Sequence, residues 1–376
     1  MAKLVVPLNQ TTRYSDTLQC GHSLLSFRGV TKNHSAKMQS ARGTEQKGED
    51  MESNQVSRRR FLKSVGTVAA ATILAERAPV PRAAWAAAAP TGKLRFGIQT
   101  PPQHVTYSDL VSVWQEADEL GFDTAFVFDH FIPIYSDATG PCLEGWTLLS
   151  ALAAQTKRVR VGLLVTSNTY RYPAVLAKMA ATVDHVSQGR LILGIGAGWF
   201  ELEHKAYGIP FSTNGGRARR LGESLEVMKL LFTQEKSTYT GKYYQLKDAP
   251  FQPKTVQKPH PPILIGGQGP KLILPVIARH ANIWHLRVRE VEPEQIKKLC
   301  TTFDDICRKV GRDPAEIEKA ISLRSAQLAG TTEELRRQIQ ALSDIGIRHF
   351  TISLAPTDRK LLSRFAKEVM PAFRET

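Results

Sequence analysis

Residues 119–130 read Glu119-Leu120-Gly121-Phe122-Asp123-Thr124-Ala125-Phe126-Val127-Phe128-Asp129-His130. A helical stretch leads into them, Tyr107 to Leu120, with apolar residues at Leu110, Val113, Trp114, Ala117 and Leu120 on one face. Gly121 then stands where a helix stops in a left-handed residue, and the apolar Phe122 folds back on the last turn. Thr124 to Phe128 follows as a short β-branched and aromatic run, too short for a helix and bounded like a buried strand. It ends on a polar tip, Asp129-His130. The same order returns at Asp344-Ile345-Gly346-Ile347-Arg348, ahead of a strand from His349 to Ser353.

Working outward from this unit, strands are expected at Leu94 to Gln99, Thr124 to Phe128, Val159 to Leu164, Leu191 to Ile195, Ile263 to Gly266, Asn282 to His285, Ala320 to Ala326 and His349 to Ser353. Helices are expected between them at Tyr107 to Leu120, Glu144 to Gln155, Pro173 to Ser187, Arg217 to Phe232, Lys271 to Arg279, Pro293 to Val310 and Thr332 to Ile345, with Arg359 to Val369 after the last strand. Such alternation demands a parallel sheet with crossover helices. Eight units in one chain of this size favour a closed (β/α)8 barrel over an open doubly wound sheet, an α/β fold in either case. Two insertions interrupt it: Gly196 to Gly216 after strand four, and Lys236 to Pro262 before strand five, the latter with a hairpin through Tyr239-Thr240-Gly241-Lys242-Tyr243.

Composition narrows the classes further. The 376 residues carry 50 Lys+Arg against 35 Asp+Glu, a formal charge of +15, and 42% are hydrophobic, which excludes disorder over most of the chain. Cys20, Cys142, Cys300 and Cys307 contain no C-x-x-C pair, so neither a disulfide framework nor a zinc or dithiol site is expected. Much of the charge is local. Residues 1–90 hold 13 Lys+Arg and 6 Asp+Glu, leaving 37 and 29, or +8, for the other 286 residues. The body's basic clusters, Lys157-Arg158-Val159-Arg160 and Arg217-Ala218-Arg219-Arg220, lack interleaved aromatics, and no nucleic-acid partner is expected.

The leader has its own signature. Ser57-Arg58-Arg59-Arg60-Phe61-Leu62-Lys63, a mildly apolar run from Val65 to Ala75, and small residues around Ala84-Trp85-Ala86 resemble a twin-arginine export signal. The apolar run is shorter than the roughly 20 residues of a membrane span, so no stable membrane insertion is expected. The resemblance implies a passage through the twin-arginine translocase to a periplasmic or other extracytoplasmic location. Residues 51–90 are assigned to this signal, with translation expected to start at Met51. Residues 1–50 are then expected to be an upstream reading artefact or a dispensable tail, a non-native or disordered extension, and residues 91–376 are expected to form the barrel domain.

In a barrel of this kind the working face lies at the C-terminal ends of the strands. There the sequence places Gln99-Thr100-Pro101, Asp129-His130, Leu164-Val165-Thr166-Ser167-Asn168, Gly194-Ile195-Gly196-Ala197-Gly198-Trp199, Gly266-Gly267-Gln268-Gly269 and Trp284-His285. Two glycine-rich loops on one rim suit a phosphate-bearing ligand, because backbone N–H groups there can approach phosphate oxygens closely. Gly194-x-Gly196 lacks the last glycine of a dinucleotide fingerprint, Trp199 standing in its place, and no phosphate-binding Gly-Lys-Ser/Thr follows. Either loop alone reads more often as a turn than as a site, and Asp129-His130 equally as a buried orienting pair. No His, Asp or Glu spacing makes a metal triad; His185 and His204 fall on a helix and an insertion, away from the pair. No G-x-S-x-G nucleophile elbow occurs.

Taken in order, Phe96-Gly97-Ile98-Gln99, Glu119-Leu120-Gly121-Phe122-Asp123, Phe128-Asp129-His130-Phe131, Asn168-Thr169-Tyr170-Arg171-Tyr172-Pro173, Asp184-His185-Val186-Ser187-Gln188-Gly189-Arg190, Leu193-Gly194-Ile195-Gly196-Ala197-Gly198-Trp199 and Pro261-Pro262-Ile263-Leu264-Ile265-Gly266-Gly267 resemble the bacterial luciferase-like monooxygenases, in the branch that uses the deazaflavin coenzyme F420. The resemblance covers residues 94 to about 370 and implies the same (β/α)8 barrel, with F420, or alternatively FMN, at the C-terminal rim. It implies an Asp129 and His130 catalytic pair, His130 serving as acid or base beside the reactive ring carbon. A cis peptide at Leu164-Val165 would prop the ring, and Thr166, Ser167, Asn168 and Thr169 would line its polar edge. Gly196, Ala197 and Gly198 would cover ring and ribityl chain, and Gly266, Gly267, Gln268 and Gly269 would hold phosphate.

Departures set the substrate expectation. Sugar-phosphate dehydrogenases of that branch carry Trp four residues beyond the His and an acidic residue at the place of Trp199; this chain has Ile134 and Trp199. The expected pocket is therefore apolar and aromatic, from Phe131, Ile134, Tyr135, Trp146, Trp199 and Phe200, and suited to an unidentified small organic molecule. The expected activity is hydride transfer between F420 and that molecule. The alternatives are an FMN-dependent monooxygenase and a barrel that binds cofactor without catalysis; the sequence leaves the oligomeric state open, a homodimer being one assembly compatible with it.

Overall fold

The computed structural model describes residues 93–134, 136–286 and 292–374. The leader, residues 1–90, and Tyr135 lie outside the described residues. The strands are β1 (Arg95–Gln99), β2 (Thr124–Val127), β3 (Arg160–Leu163), β4 (Thr166–Ser167), β5 (Leu191–Gly196), β6 (Lys236–Thr240), β7 (Gln245–Pro250), β8 (Ile263–Gly266), β9 (Ile283–Leu286), β10 (Glu318–Leu323) and β11 (Ile347–Ser353). The helices are α1 (Tyr107–Glu119), α2 (Gly145–Gln155), α3 (Pro173–Val186), α4 (Glu201–Ala206), α5 (Asn214–Thr233), α6 (Leu274–His280), α7 (Pro293–Lys309), α8 (Ser325–Leu328), α9 (Thr332–Asp344) and α10 (Arg359–Arg364). No described helix is long and apolar enough to cross a membrane.

Strand order β3-β2-β1-β11-β10-β9-β8-β5, with β3 also paired to β5, closes the sheet on itself. Each barrel pairing is parallel; Phe96 faces Phe350 between β1 and β11, and Val161 faces Leu191 at the seam. This is the expected (β/α)8 barrel. The side-chain period of two splits its core. Phe126, Leu164, Ile192, Leu264, Ile283 and Ala320 form one cluster, while Ala125, Val127, Leu191, Leu193 and Ile265 join the larger cluster that includes the helices.

The helix stops work as their residues require. Gly121 has φ 81°, its N–H bonds Asp118 O, and the Phe122 N–H bonds Ala117 O, satisfying carbonyls that the helix end leaves open. Thr106 with Asp109, and Thr331 with Glu334, form reciprocal caps at the starts of α1 and α9.

Three readings need correction. The seventh barrel strand starts at Glu318, earlier than expected, and stops at Leu323; Ser325–Leu328 turns as a helix, and the Gln327 side chain accepts the Arg324 N–H. The insertion after β5 contains α4, which periodicity missed because six residues are too few to show it. Finally, β3 breaks after Leu163, and Thr166–Ser167 pairs with β5 as a separate short strand. Between the two lies the cis peptide Leu164–Val165, where the resemblance placed it.

Candidate active site

A cavity of about 420 Å³ opens at the C-terminal ends of the barrel strands, within the size range of cofactor and ligand sites. His130 stands on its wall, just after β2. Its ring is boxed by Phe128, Trp199 and Phe200 at centroid distances of 5.2, 5.7 and 5.9 Å, each nearly edge to face. Behind it His130 Nδ1 lies 2.9 Å from Glu203 Oε2. Glu203, on α4, is fully buried, and it also accepts hydrogen bonds from the Tyr170 hydroxyl and from the N–H groups of Phe131 and Ile132. Burial alone pushes its carboxyl upward, but the bonds from His130 and Tyr170, the charge of His130 and the Phe131 N–H bring it below the usual carboxylate value. Glu203 is thus held as an anion. A carboxylate only accepts, so a neutral His130 must carry its proton on Nδ1 and leave Nε2 bare.

The neighbouring Asp129 plays a different part. It is fully buried and takes both arms of Arg171, Nη1 at 2.5 Å and Nη2 at 3.1 Å, together with the Thr166 hydroxyl at 2.5 Å. Arg171 reaches on to Glu144, the N-cap of α2. Both Asp129 oxygens are therefore engaged, and its geometry is that of an anchor fixing β2 and the Thr166 segment. Burial pulls the Arg171 guanidinium down, but the charge and hydrogen bonds of Asp129, and then Glu144, raise it overall.

The remaining walls come from the loops. Leu164, Val165, Thr166, Ser167, Gly196, Ala197, Gly198, Gly266, Gly267 and Gly269 all line the cavity, with Ile134 and Trp199 among the apolar side chains. Gln99 also lines it and donates from Nε2 to Leu164 O at 2.9 Å. A side chain at Gly196 would come within 2.9 Å of Val165 Cγ2; the loop can lie against Val165 only while bare. Arg217 Nε holds the Gly198 carbonyl at 3.0 Å. On the far side His285 meets Ser322 at 3.0 Å, and Arg324 adds a cation to the lining.

Five expected residues sit elsewhere. Trp146 is 2% exposed and donates its indole N–H to Thr166 Oγ1 at 3.3 Å, so it supports the polar segment from behind and is no wall of this cavity. Phe131 packs on Tyr170 and Tyr207 at 4.8 and 5.1 Å. Asn168 is buried away from the cavity, its N–H on Gly196 O, and Gln268 points to solvent. Phe200 touches the His130 ring without lining the cavity. Conversely, His204 is part of the site: its Nε2 lies 2.6 Å from Thr169 Oγ1. Glu203, His204, Tyr170 and Arg171 were missed as functional candidates. Tyr170 and Arg171 stand inside a quoted motif, whereas Glu203 and His204 carry no local signal, since their partners lie 73 and 35 positions away.

Relatives place this geometry among known proteins. An F420-dependent glucose-6-phosphate dehydrogenase of Microbacterium testaceum is 31% identical over 61% of this chain and 68% of its own. An uncharacterised protein of Mycobacterium tuberculosis is 35% identical over 52% and 73%. Among solved structures, an F420-dependent secondary alcohol dehydrogenase with an F420–acetone adduct superposes with TM-score 0.67 at 22% identity, covering 75% of this chain and 99% of that one. The F420-dependent tetrahydromethanopterin reductase of Methanopyrus kandleri gives 0.65 at 19%, over 75% and 100%; these two likenesses speak for the fold. Residues 93–373 match the luciferase-like monooxygenases throughout, and the chain belongs to that family.

Proposed function

We propose that the protein is an oxidoreductase that uses coenzyme F420 to transfer hydride to or from a small organic substrate. The observation that carries the reading is His130 on the cavity wall, backed by the buried Glu203 carboxylate, in a chain whose named relatives include F420-dependent dehydrogenases. The residues suit a flat ring with a phosphate-bearing tail. Val165 wedges between the bare loops at Gly196 and Gly266, where added side chains would meet it at 2.9 and 3.7 Å, and glycines together with Arg324 form the opposite end of the lining. When bound, the deazaflavin supplies a ring carbon that accepts or gives up a hydride.

The chain's residues do the rest. His130 takes up or releases the substrate proton at Nε2, while Glu203 balances the imidazolium charge and holds the ring angle. Asp129 and Arg171 keep the Thr166 segment in register with β2. Trp199 and Ile134 narrow the approach and give the substrate side apolar walls, which suits a molecule without a phosphate of its own.

Fluorescence titration checks the cofactor: F420 is expected to bind at low micromolar concentration and FMN much more weakly. The reverse order would make the protein an FMN enzyme. His130→Ala is expected to lower turnover, on a panel of alcohols, ketones, quinones and nitro compounds, by about 10²-fold or more while leaving F420 affinity within about threefold. Unchanged turnover would remove His130 from the chemistry, and cofactor binding with no turnover on any substrate would leave a binding barrel. We further infer that the leader Ser57–Lys63 directs the protein through the twin-arginine translocase, a route that carries proteins already folded and so suits one that picks up its cofactor beforehand.

A further inference from the structure

We propose that His204 acts through Thr169 as a positioning residue that makes the Ser167 hydroxyl an obligate hydrogen-bond acceptor on the cavity wall, so that the site selects a ring presenting an N–H there. The ligand side of this proposal rests on the flavin-type cofactor reading above; the relay itself does not.

The direction of each bond follows from what its partners can do. His204 is fully buried. Its Nδ1 lies 2.7 Å from the Phe200 carbonyl oxygen, which only accepts, so Nδ1 carries a proton. Its Nε2 lies 2.6 Å from Thr169 Oγ1. Among the described residues no carboxylate bonds to this ring to balance a second proton. In the neutral ring Nε2 is bare, and Thr169 must donate its single hydroxyl proton to it. Ser167 Oγ lies 2.6 Å from Thr169 Oγ1. With the Thr169 proton spent, Ser167 donates its own; the Thr169 N–H, at 3.4 Å, takes one of its lone pairs, and the face left toward the cavity offers the other lone pair alone.

The surroundings hold this chain of bonds in place. Gly198, with φ 88°, lies directly over the two hydroxyls: a side chain there would come within 2.6 Å of Ser167 Oγ and 3.0 Å of Thr169 Oγ1. Ser167 itself lines the cavity. The pyrimidine end of a deazaflavin or of FMN carries one N–H between two carbonyls. An acceptor pairs with the N–H and is repelled by either carbonyl, so Ser167 would fix which edge of the ring faces this wall.

Two measurements test the proposal on the full chain. First, ¹⁵N NMR of histidine-labelled protein without cofactor, with His204 assigned through the signal missing in His204→Gln, is expected to show a neutral ring protonated at Nδ1. A ring protonated at Nε2, alone or together with Nδ1, overturns the relay. Second, F420, FMN and their N3-methyl derivatives are titrated against wild type, Ser167→Ala, Thr169→Val and Thr169→Ser. Wild type is expected to prefer the N–H form by about tenfold or more, roughly one charge-neutral hydrogen bond. Ser167→Ala should reduce that ratio below about threefold, Thr169→Val should reduce it in part because the Ser167 proton is released, and Thr169→Ser should restore it. An unchanged ratio in Ser167→Ala overturns the selection while leaving the cofactor reading intact. If wild type binds neither unmodified cofactor, the cofactor reading fails, and the NMR result still decides the relay.

Discussion

Glu203 gathers four donors on two oxygens in a fully buried position, so its charge is what the surroundings are built to satisfy. Glu203→Gln keeps the shape but loses the anion, and its amide N–H₂ cannot accept from His130 or Tyr170. The expected result is a fall in stability of about 1–3 kcal/mol and a fall in turnover, because the charge that balances the His130 imidazolium is gone. The stability effect has a defined pH window. The Glu203 carboxyl is lowered on folding, so its contribution is whole above the unfolded carboxylate value and is lost as pH falls through the folded one. Wild type and Glu203→Gln should therefore converge in acid-denaturation curves; parallel curves would contradict the assignment. Residues such as Asp129 and His130 were legible because they end a recognisable strand. Glu203 was not, since nothing nearby in sequence says that α4 folds back over β2.

At the scale of elements, α5 carries a cost at its far end. Burial pushes the Lys229 ammonium down to about 8, with Arg312 adding repulsion. The same corner pushes His280 down to about 4, by burial and by Lys229, Arg279 and Arg312. Because Lys229 releases its proton more readily when folded, the unfolded chain binds more protons between pH 8 and its ordinary value, and stability rises with pH there. Lys229→Met is expected to stabilise by about 1 kcal/mol at pH 7, with the gain shrinking as pH climbs through that interval in thermal melts. A gain that stays constant with pH would point to packing alone. Elements were legible where periodicity ran long, as in α1 and α7. They were misjudged where it did not: α4 is short, and the strand before α8 reads on to Ala326 because Ser325 and Ala326 show no helical pattern by themselves.

For the molecule as a whole, eight alternating strand and helix units in a chain of this size already favoured closure over an open doubly wound sheet. What sequence could not supply was which polar side chains meet across the rim, because those pairings join positions distant in the chain. The leader belongs to this scale too. Replacing Arg58 and Arg59 by Lys is expected to retain a tagged protein in the cytoplasm, read by fractionation of cells expressing either form; equal export of both would dismiss the twin-arginine reading, and intact mass of the precursor decides whether it begins at Met51.

One carboxylate oxygen has a wider meaning. Asp123 Oδ2 accepts the Phe96 N–H at 2.8 Å and Arg374 Nη2 at 2.9 Å, and Phe373 packs on Phe96 at 5.9 Å. The first barrel strand and the end of the described chain are thus moored to the same atom. In a closed ring of repeating units, the place where the polypeptide starts is then an accident of the gene: a circular permutant joining residue 374 to residue 93 through a short linker, and opened at an exposed loop elsewhere, should rebuild the same barrel with the same cavity.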